Sequence, residues 1–289
     1  MPINIAASLH CRLPLGGAAS SNGGFLVFPG ATFTPDPTAT PDPLPKGAYD
    51  RAVGKWLPVD IQEVSPDGTH YAFAIPPGMP PASDNKVHVV DAATGLDRTF
   101  PATHPWSVVD YGTDGVYLHE STVNGAYVSN GLWRLDPSTG RVDELAAKGD
   151  WKGEANGVAW GIDPPGDYRS ASPSPNNRVV RLDLRTRQQS TYVQNPNATY
   201  AWLGFGTDSQ PILAMSDASG YNLVIHQKII GTWRANDDAR PSTAWSDANG
   251  TWFTSFAGVL WFFNDKRGLF RVTTLAGPDA YMHVAGACA

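Results

Sequence analysis

A hairpin pattern that returns every 41 to 49 residues constrains this chain more than any other feature. Its clearest copy is residues 61–75, IQEVSPDGTHYAFAI, where Val64, Tyr71, Phe73 and Ile75 alternate with polar or small neighbours. That period of two half-buries a strand, so the segment reads as two short strands joined by a Pro-Asp-Gly turn. Pro66 sets its own φ, and Gly68 can take the positive φ that closes the turn. Weaker copies occupy 106–121, 156–172, 201–217 and 243–256, which puts the turn positions at Asp67, Asp114, Asp163, Asp208 and Asn249.

A second hairpin follows each first one, at 87–100, 132–145, 179–192, 223–235 and 260–274. Gly95, Gly140, Gly231 and Gly268 mark four of these turns, and Arg187 stands where the fifth would have glycine. All-strand repeats at a period of roughly 40–50 residues are propeller blades. The expected fold class is therefore all-β, a six-bladed β-propeller, with 1–289 as a single domain. Five blades are visible, and 289 residues leave room for a sixth built from the chain ends. The 29 Gly and 25 Pro, with no sustained apolar stripe of period 3.6, agree with many strands and turns.

The ends supply that sixth blade. Residues 34–46, TPDPTATPDPLPK, are too rich in proline for a ladder strand and are expected as a surface loop. Residues 49–59, with Gly54 at the turn, read as a hairpin that joins the N-terminal strands in the first blade. Residues 281–289 are apolar enough to be its missing innermost strand, which closes the ring without exposed edges. Cys11 and Cys288 then become neighbours although 277 residues separate them. A disulfide there would clasp the ring and contribute on the order of 4–5 kcal/mol in the chain-entropy model. It would also imply an oxidising compartment, hence secretion or the outer face of a membrane. The alternative is two unpaired buried thiols.

The net charge of −6 comes with scattered basic residues, which disfavours a nucleic-acid partner. No run of 18 apolar residues occurs, so no membrane span is expected in this chain. The N-terminus has no charged segment followed by an apolar one, and Met1 directly before a strand-like stretch reads as the trace of a removed upstream segment that could have tethered the protein. A monomer is expected.

Residues 64–74, VSPDGTHYAFA, resemble the core motif of the TolB-type, WD40-like propeller repeats of bacterial extracytoplasmic proteins. Elsewhere GTDG, GIDP, GTDS and DANG replace SPDG. Residues 49–56, YDRAVGKW, also resemble a fragment of a kelch-type repeat. The chain as a whole is similar to TolB-like propellers of soil bacteria. The resemblance implies a propeller in an extracytoplasmic compartment, and its Asp and Gly residues imply turns. It implies no activity, and the chain has no room for the additional N-terminal domain of TolB.

No Gly-x-Ser-x-Gly, His-Glu-x-x-His, Cys-x-x-Cys or phosphate-binding glycine loop occurs, and no cofactor is implied. Residues 246–252, SDANGTW, approach a sialidase-type Asp box with the wrong spacing and read as another turn. The turns inside hairpins are tight, whereas the connections at 76–85, 120–130 and 161–177 are long and share one face. Elaborated loops on one face of a rigid scaffold usually carry binding. Candidate ligand-binding residues on that face are Trp106, His119, Glu120, Tyr127, Trp160, Tyr168, Tyr200, Trp202 and Trp245. Rings at a channel mouth can stack on sugars, and the carboxylate and imidazole can bind polar groups. Many of these tryptophans could equally wedge between blades.

Two functions stay open. One is an extracytoplasmic binding module for a protein, peptide or glycan. The other is a propeller lyase or hydrolase with a metal or a His/Asp/Glu site, for which His104, Asp110, His119 and Glu120 would have to meet around one cavity.

Overall fold

The computed structural model describes residues 8–17, 23–39, 47–75, 84–123, 127–162, 176–275 and 282–289. They form two compact units, Met1–Tyr49 with Ala201–Ala289, and Asp50–Tyr200.

The first unit begins with β1 (Arg12–Gly16), β2 (Gly24–Val27) and β3 (Thr32–Pro35), a meander in which Leu13 pairs with Leu26 and Phe25 with Thr34. Thr34 and Pro35 therefore belong to a ladder, where a surface loop was expected. β3 is the edge of its sheet, so the N–H that Pro35 lacks is not needed by a further strand.

Next, β4 (Ala48–Asp50) and β5 (Lys55–Leu57) pair only with each other, with Gly54 at φ 65 in their turn. The 49–59 hairpin thus stands outside the first blade, which already has its outer strands from β1 to β3. Residues 61–75 also depart from expectation. Ile61–Glu63 is a 3-10 turn, closed by a bond from the Asp60 N–H to Glu63 Oε2 at 2.7 Å, and the first strand is reduced to one bridge between Val64 and Tyr71. The N–H groups of Glu63 and Val64 return to the Asp60 and Ile61 carbonyls at 2.9 and 3.3 Å, which holds this segment as a turn.

The rest of the second unit is three sheets. The first holds β6 (His70–Ala74), β7 (Lys86–Asp91) and β8 (Asp97–Pro101). The second holds β9 (Trp106–Gly112), β10 (Gly115–Val123), β11 (Tyr127–Leu135) and β12 (Val142–Ala146). The third holds β13 (Asp150–Ala155), β14 (Val158–Ile162), β15 (Arg178–Asp183) and β16 (Gln189–Gln194). Here the tight turn is Asn156–Gly157, with φ of 55 and 77, because β13 begins six residues before the hairpin expected from sequence. Asp163, the expected turn, lies outside the described residues.

The first unit resumes with β17 (Thr199–Phe205), β18 (Pro211–Asp217), β19 (Gly220–Ile225) and β20 (Lys228–Trp233). Then come β21 (Pro241–Asp247), β22 (Gly250–Ser255), β23 (Val259–Asn264) and β24 (Gly268–Thr274). Finally β25 (His283–Val284) pairs with β1, Leu15 opposite Val284, and supplies the fourth strand of the first sheet as expected. The bridge Cys11–Cys288 is formed, with an S–S distance of 1.96 Å and Cα atoms 5.4 Å apart. The six sheets are the blades of an all-β, six-bladed β-propeller.

The cores lie between neighbouring sheets. Ala72, Val87 and Phe100 of one sheet meet Trp106, Val116 and Leu118 of the next, and Tyr117 and Leu132 meet Trp151 and Val180 one sheet further on. In the first unit Leu13, Leu15 and Leu26 pack on Trp252 and Phe262, and Leu203 and Ile212 pack near Phe253. Middle strands are thus covered on both faces, and β19 and β22 are buried along their whole length. This explains why neither sequence alternates cleanly; β22, GTWFTS, buries Thr251, Thr254 and Ser255 along with its rings.

Turn chemistry repeats from sheet to sheet. Asp91, Asp136 and Asp183 each accept a backbone N–H two or three residues on, and the N–H of Gly95, Gly140 and Arg187 returns to their carbonyls at 2.8 Å. Arg187 takes φ 61, so it does the work of glycine in this turn. Gly231, by contrast, lies inside β20, and the turn belongs to His226 and Gln227 at φ 51 and 59. The Cβ of any other residue at 231 would press on the Trp233 ring, which explains the glycine.

Three glycines that follow a tight turn, Gly115, Gly220 and Gly250, share φ values of 134 to 152. A Cβ at Gly115 or Gly220 would lie 2.5 Å from the carbonyl oxygen of Leu135 or Trp233 on an adjacent strand. Backbone cannot yield as a side chain does. Gly115→Ala and Gly220→Ala are expected to cost at least about 2 kcal/mol in chemical denaturation, against about 1 kcal/mol for Gly95→Ala, which meets open space. Equal losses at all three positions would refute the close-approach argument.

Candidate functional site

In the second unit, β9 and β13 begin at the same end of their sheets as β10 and β14 finish, and the links between sheets lie there. β10 carries His119 and Glu120 to this end. The pairing of β10 with β11 shifts between Leu118 and Glu120, so His119 is skipped by that ladder, and its only partner is Ser107 on β9. The extra residue lies on β11, where Gly131 and Leu132 together face His119. The His119 ring reaches the first strand of the next sheet, where it bonds to the Trp151 backbone. Trp151 itself is 1% exposed and anchored through its indole N–H to the Lys148 carbonyl at 2.9 Å.

Burial, reinforced by the positive charge of Lys152, pushes the His119 pKa down to about 4. The imidazole is therefore neutral at physiological pH. Its Nδ1 is buried and has no hydrogen-bond partner among the described residues. Beside it, Lys152 Nζ holds Asp150 Oδ1 at 2.7 Å, with the two side chains 30% and 18% exposed. Lys152 is near enough for its charge to act on His119, and it carries Asp150 with it as an ion pair.

Alternation along β10 sends Glu120 to the other side of the sheet. Its Oε2 lies 4.0 Å from His104 Nδ1. The His104 ring stacks on Trp133 at 5.7 Å and leans on Trp106 at 4.8 Å, and Trp106 and Trp133 meet edge to face at 4.7 Å. His119 and Glu120, neighbours in sequence, belong to separate clusters.

Asp110 sits toward the opposite end of β9, across from Tyr117. Its Oδ2 accepts the Glu154 N–H of the adjacent sheet at 2.7 Å. Crowding by protein, reinforced by the Glu154 charge, pushes its pKa up to about 7, and burial raises Glu154 as well. His104, Asp110, His119 and Glu120 therefore do not share one cavity. Among the described residues no three His, Cys, Asp or Glu side chains are placed to hold a metal ion.

The chain is similar in fold to TolB. The solved TolB from Acinetobacter baumannii aligns with a TM-score of 0.56 at 14% identity, covering 90% of this chain and 62% of TolB. At that identity the likeness is one of fold. Virginiamycin B lyase from Staphylococcus aureus aligns with a TM-score of 0.49 at 13% identity, over 92% of this chain and 86% of the lyase. A chain of a nidogen/laminin complex aligns with a TM-score of 0.46 at 11% identity, over 88% of this chain and 89% of that one. No family model and no curated protein matches the sequence.

The aromatic candidates divide by burial. Trp106 and Trp160 are 2% exposed and Tyr200 4%, so all three wedge within the blades. Trp160 meets Tyr192 edge to face at 5.0 Å. Trp202 and Trp245, both in the first unit, are partly exposed, and their buried indole N–H groups have no partner among the described residues. Tyr127 pairs with Val123 in the β10–β11 ladder, so 120–130 is largely an extended hairpin where a loop was expected. Long runs of β-branched and polar residues with few prolines carry both strands onward there. Tyr168, with residues 76–83 and 163–175, lies outside the described residues. Lys152 and Asp150 were missed, because nothing in WKGE or its flanks marks a residue that the next sheet will bring to a histidine 31 to 33 positions away.

Proposed function

We propose that the protein is a TolB-like, extracytoplasmic binding propeller, acting as one monomeric domain, which takes a protein, peptide or glycan at the sheet end around His119. The observation that carries this reading is the unpartnered Nδ1 of a neutral His119 beside the Lys152–Asp150 pair. His119 lies at the end of β10 from which the inter-sheet links leave. Acceptor, cation and carboxylate together suit a polar ligand with both donor and acceptor groups. The Cys11–Cys288 bridge supports an oxidising compartment, and no helix among the described residues is long and apolar enough to cross a membrane.

The test is screening on peptide and glycan arrays, followed by affinity measurement of the best hit. His119→Ala and Lys152→Ala are each expected to weaken it at least tenfold, with little change in melting temperature for Lys152→Ala and a loss for His119→Ala, which empties a buried position bonded to the Trp151 backbone. Unchanged affinity in both variants would sink the assignment of the site.

One observation favours a second reading, a lyase or hydrolase. Asp110, with its pKa near 7, is poised to give or take a proton at neutral pH. Turnover that follows a group of pKa near 7 and disappears in Asp110→Asn would support that reading over the first.

A further inference from the structure

The first unit carries a concavity of its own. A cleft of about 220 Å³ opens between the β17–β20 and β21–β24 sheets, at the end where the turns inside their hairpins cluster. Its walls are the turns β17–β18, β19–β20, β21–β22 and β23–β24, so four separate chain segments converge on it. One wall is Asp208 and His226, whose Oδ2 and Nε2 are 2.8 Å apart. His226 and Gln227 hold left-handed φ values in a two-residue turn that ordinarily selects Asn and Gly.

The facing wall is prepared by hydrogen bonds among its own residues. Asn264 donates to the Asn249 carbonyl at 3.0 Å and accepts the Lys266 N–H, also at 3.0 Å. Thr251, 4% exposed, is fixed by Ser246 at 2.8 Å. These bonds lock the frame and leave the Asp265 and Lys266 side chains exposed at the rim. At the inner side Phe263 offers a partly exposed ring.

Charge and size narrow the ligand. Two carboxylates, Asp208 and Asp265, stand against one ammonium, Lys266, and one imidazole, His226, so the lining carries no strong excess of either charge. It does present acceptors and donors on opposite walls around one aromatic ring, the arrangement that binds hydroxyl groups at the edge of a ligand and C–H groups on its face. The volume falls below the roughly 300–1,000 Å³ of sites for drug-sized molecules. We infer that this cleft is a binding site for a neutral sugar, one residue of a free or chain-end glycan. It is separate from the His119 site, and the two stand or fall independently.

The test is titration of the ¹⁵N-labelled protein with glucose, galactose, mannose and N-acetylglucosamine, followed by amide NMR shifts. At least one sugar is expected to shift amides in the four turns, saturably, while the His119 region stays unmoved. Asp208→Ala and Asp265→Ala, both at exposed positions, should each weaken that sugar at least fivefold with an unchanged melting temperature. Shifts elsewhere, no saturable shift with any of the four sugars, or full affinity in both variants would overturn the assignment. Binding of phosphate or of free lysine in preference to all four would overturn the ligand class.

Discussion

Cys288→Ser is expected to lower the stability of the first unit by about 4 kcal/mol and its melting temperature by on the order of 10 °C. The bridge joins positions 277 residues apart, so it removes loop-closure entropy from nearly the whole unfolded chain, on the order of 5 kcal/mol in the entropic model. A compact denatured ensemble recovers part of that. The bond also holds a short strand in place. β25 has only two residues, and the other ties of the C-terminus to β1 are backbone bonds such as Arg12 N–H to the Ala289 carbonyl at 2.7 Å and Ala285 N–H to the Pro14 carbonyl at 2.9 Å. Asp247 Oδ2 adds a bond from the Cys288 N–H at 2.8 Å, fastening the same tail to the β21–β22 turn.

Cys288 is 7% exposed in the apolar cluster, so serine also places a hydroxyl there. Reduction of the wild type separates the two effects, since it breaks the bond and leaves the sulfur. The measurement is thermal and denaturant unfolding of wild type with and without reductant, beside Cys11→Ser and Cys288→Ser. A reduced wild type that melts within about 2 °C of the oxidised one would show that the backbone ties suffice without the clasp.

Asp110→Asn is expected to stabilise the protein by about 1–3 kcal/mol at pH 8 and to do nothing at pH 4. Asp110 ionises near pH 7 in the folded chain, against an ordinary value of 3.8. The folded state therefore binds the proton more tightly than the unfolded state. Between about pH 4 and pH 7 the unfolded chain sheds this proton while the folded chain keeps it. Stability is highest where the group is protonated and falls as pH rises through that window, levelling off above about 7. Asparagine keeps an oxygen to accept the Glu154 N–H and never ionises, so this loss disappears. Denaturant unfolding of both proteins from pH 4 to pH 8.5 checks it. Parallel pH curves would mean that Asp110 ionises normally.

Much of the fold can be read from the residues. The hairpin at 106–121, the turns at Gly95, Gly140 and Arg187, and the pairing of Cys11 with Cys288 all follow from local pattern or from the need to close a ring. Period-two alternation and turn residues are properties of short segments, and they survive whatever the rest of the chain does. Where local pattern misled, a tertiary contact had outweighed it. The SPDG segment is the best copy of the motif, yet its first half is a 3-10 turn. Gly231 was assigned to a turn by spacing, but the ladder and the Trp233 ring place it inside β20, and His226 and Gln227 take the turn in a strained conformation.

The candidate sites were barely legible. His119 was singled out by its place at the end of a strand, but its meaning comes from Lys152 and the Trp151 backbone on the next sheet. Asp208 and His226, 18 positions apart, meet only because two turns at one end of the same sheet converge. Trp106, Trp160 and Tyr200, chosen as exposed platforms, are buried because inner-strand rings fill the wedge between sheets.

By itself the sequence determined that this chain is a six-bladed propeller clasped at its ends, because strand period, turn chemistry and cysteine placement are local or countable. Only the tertiary structure decided which polar groups face one another, because those contacts form between separate sheets, where packing sets distance, burial and charge.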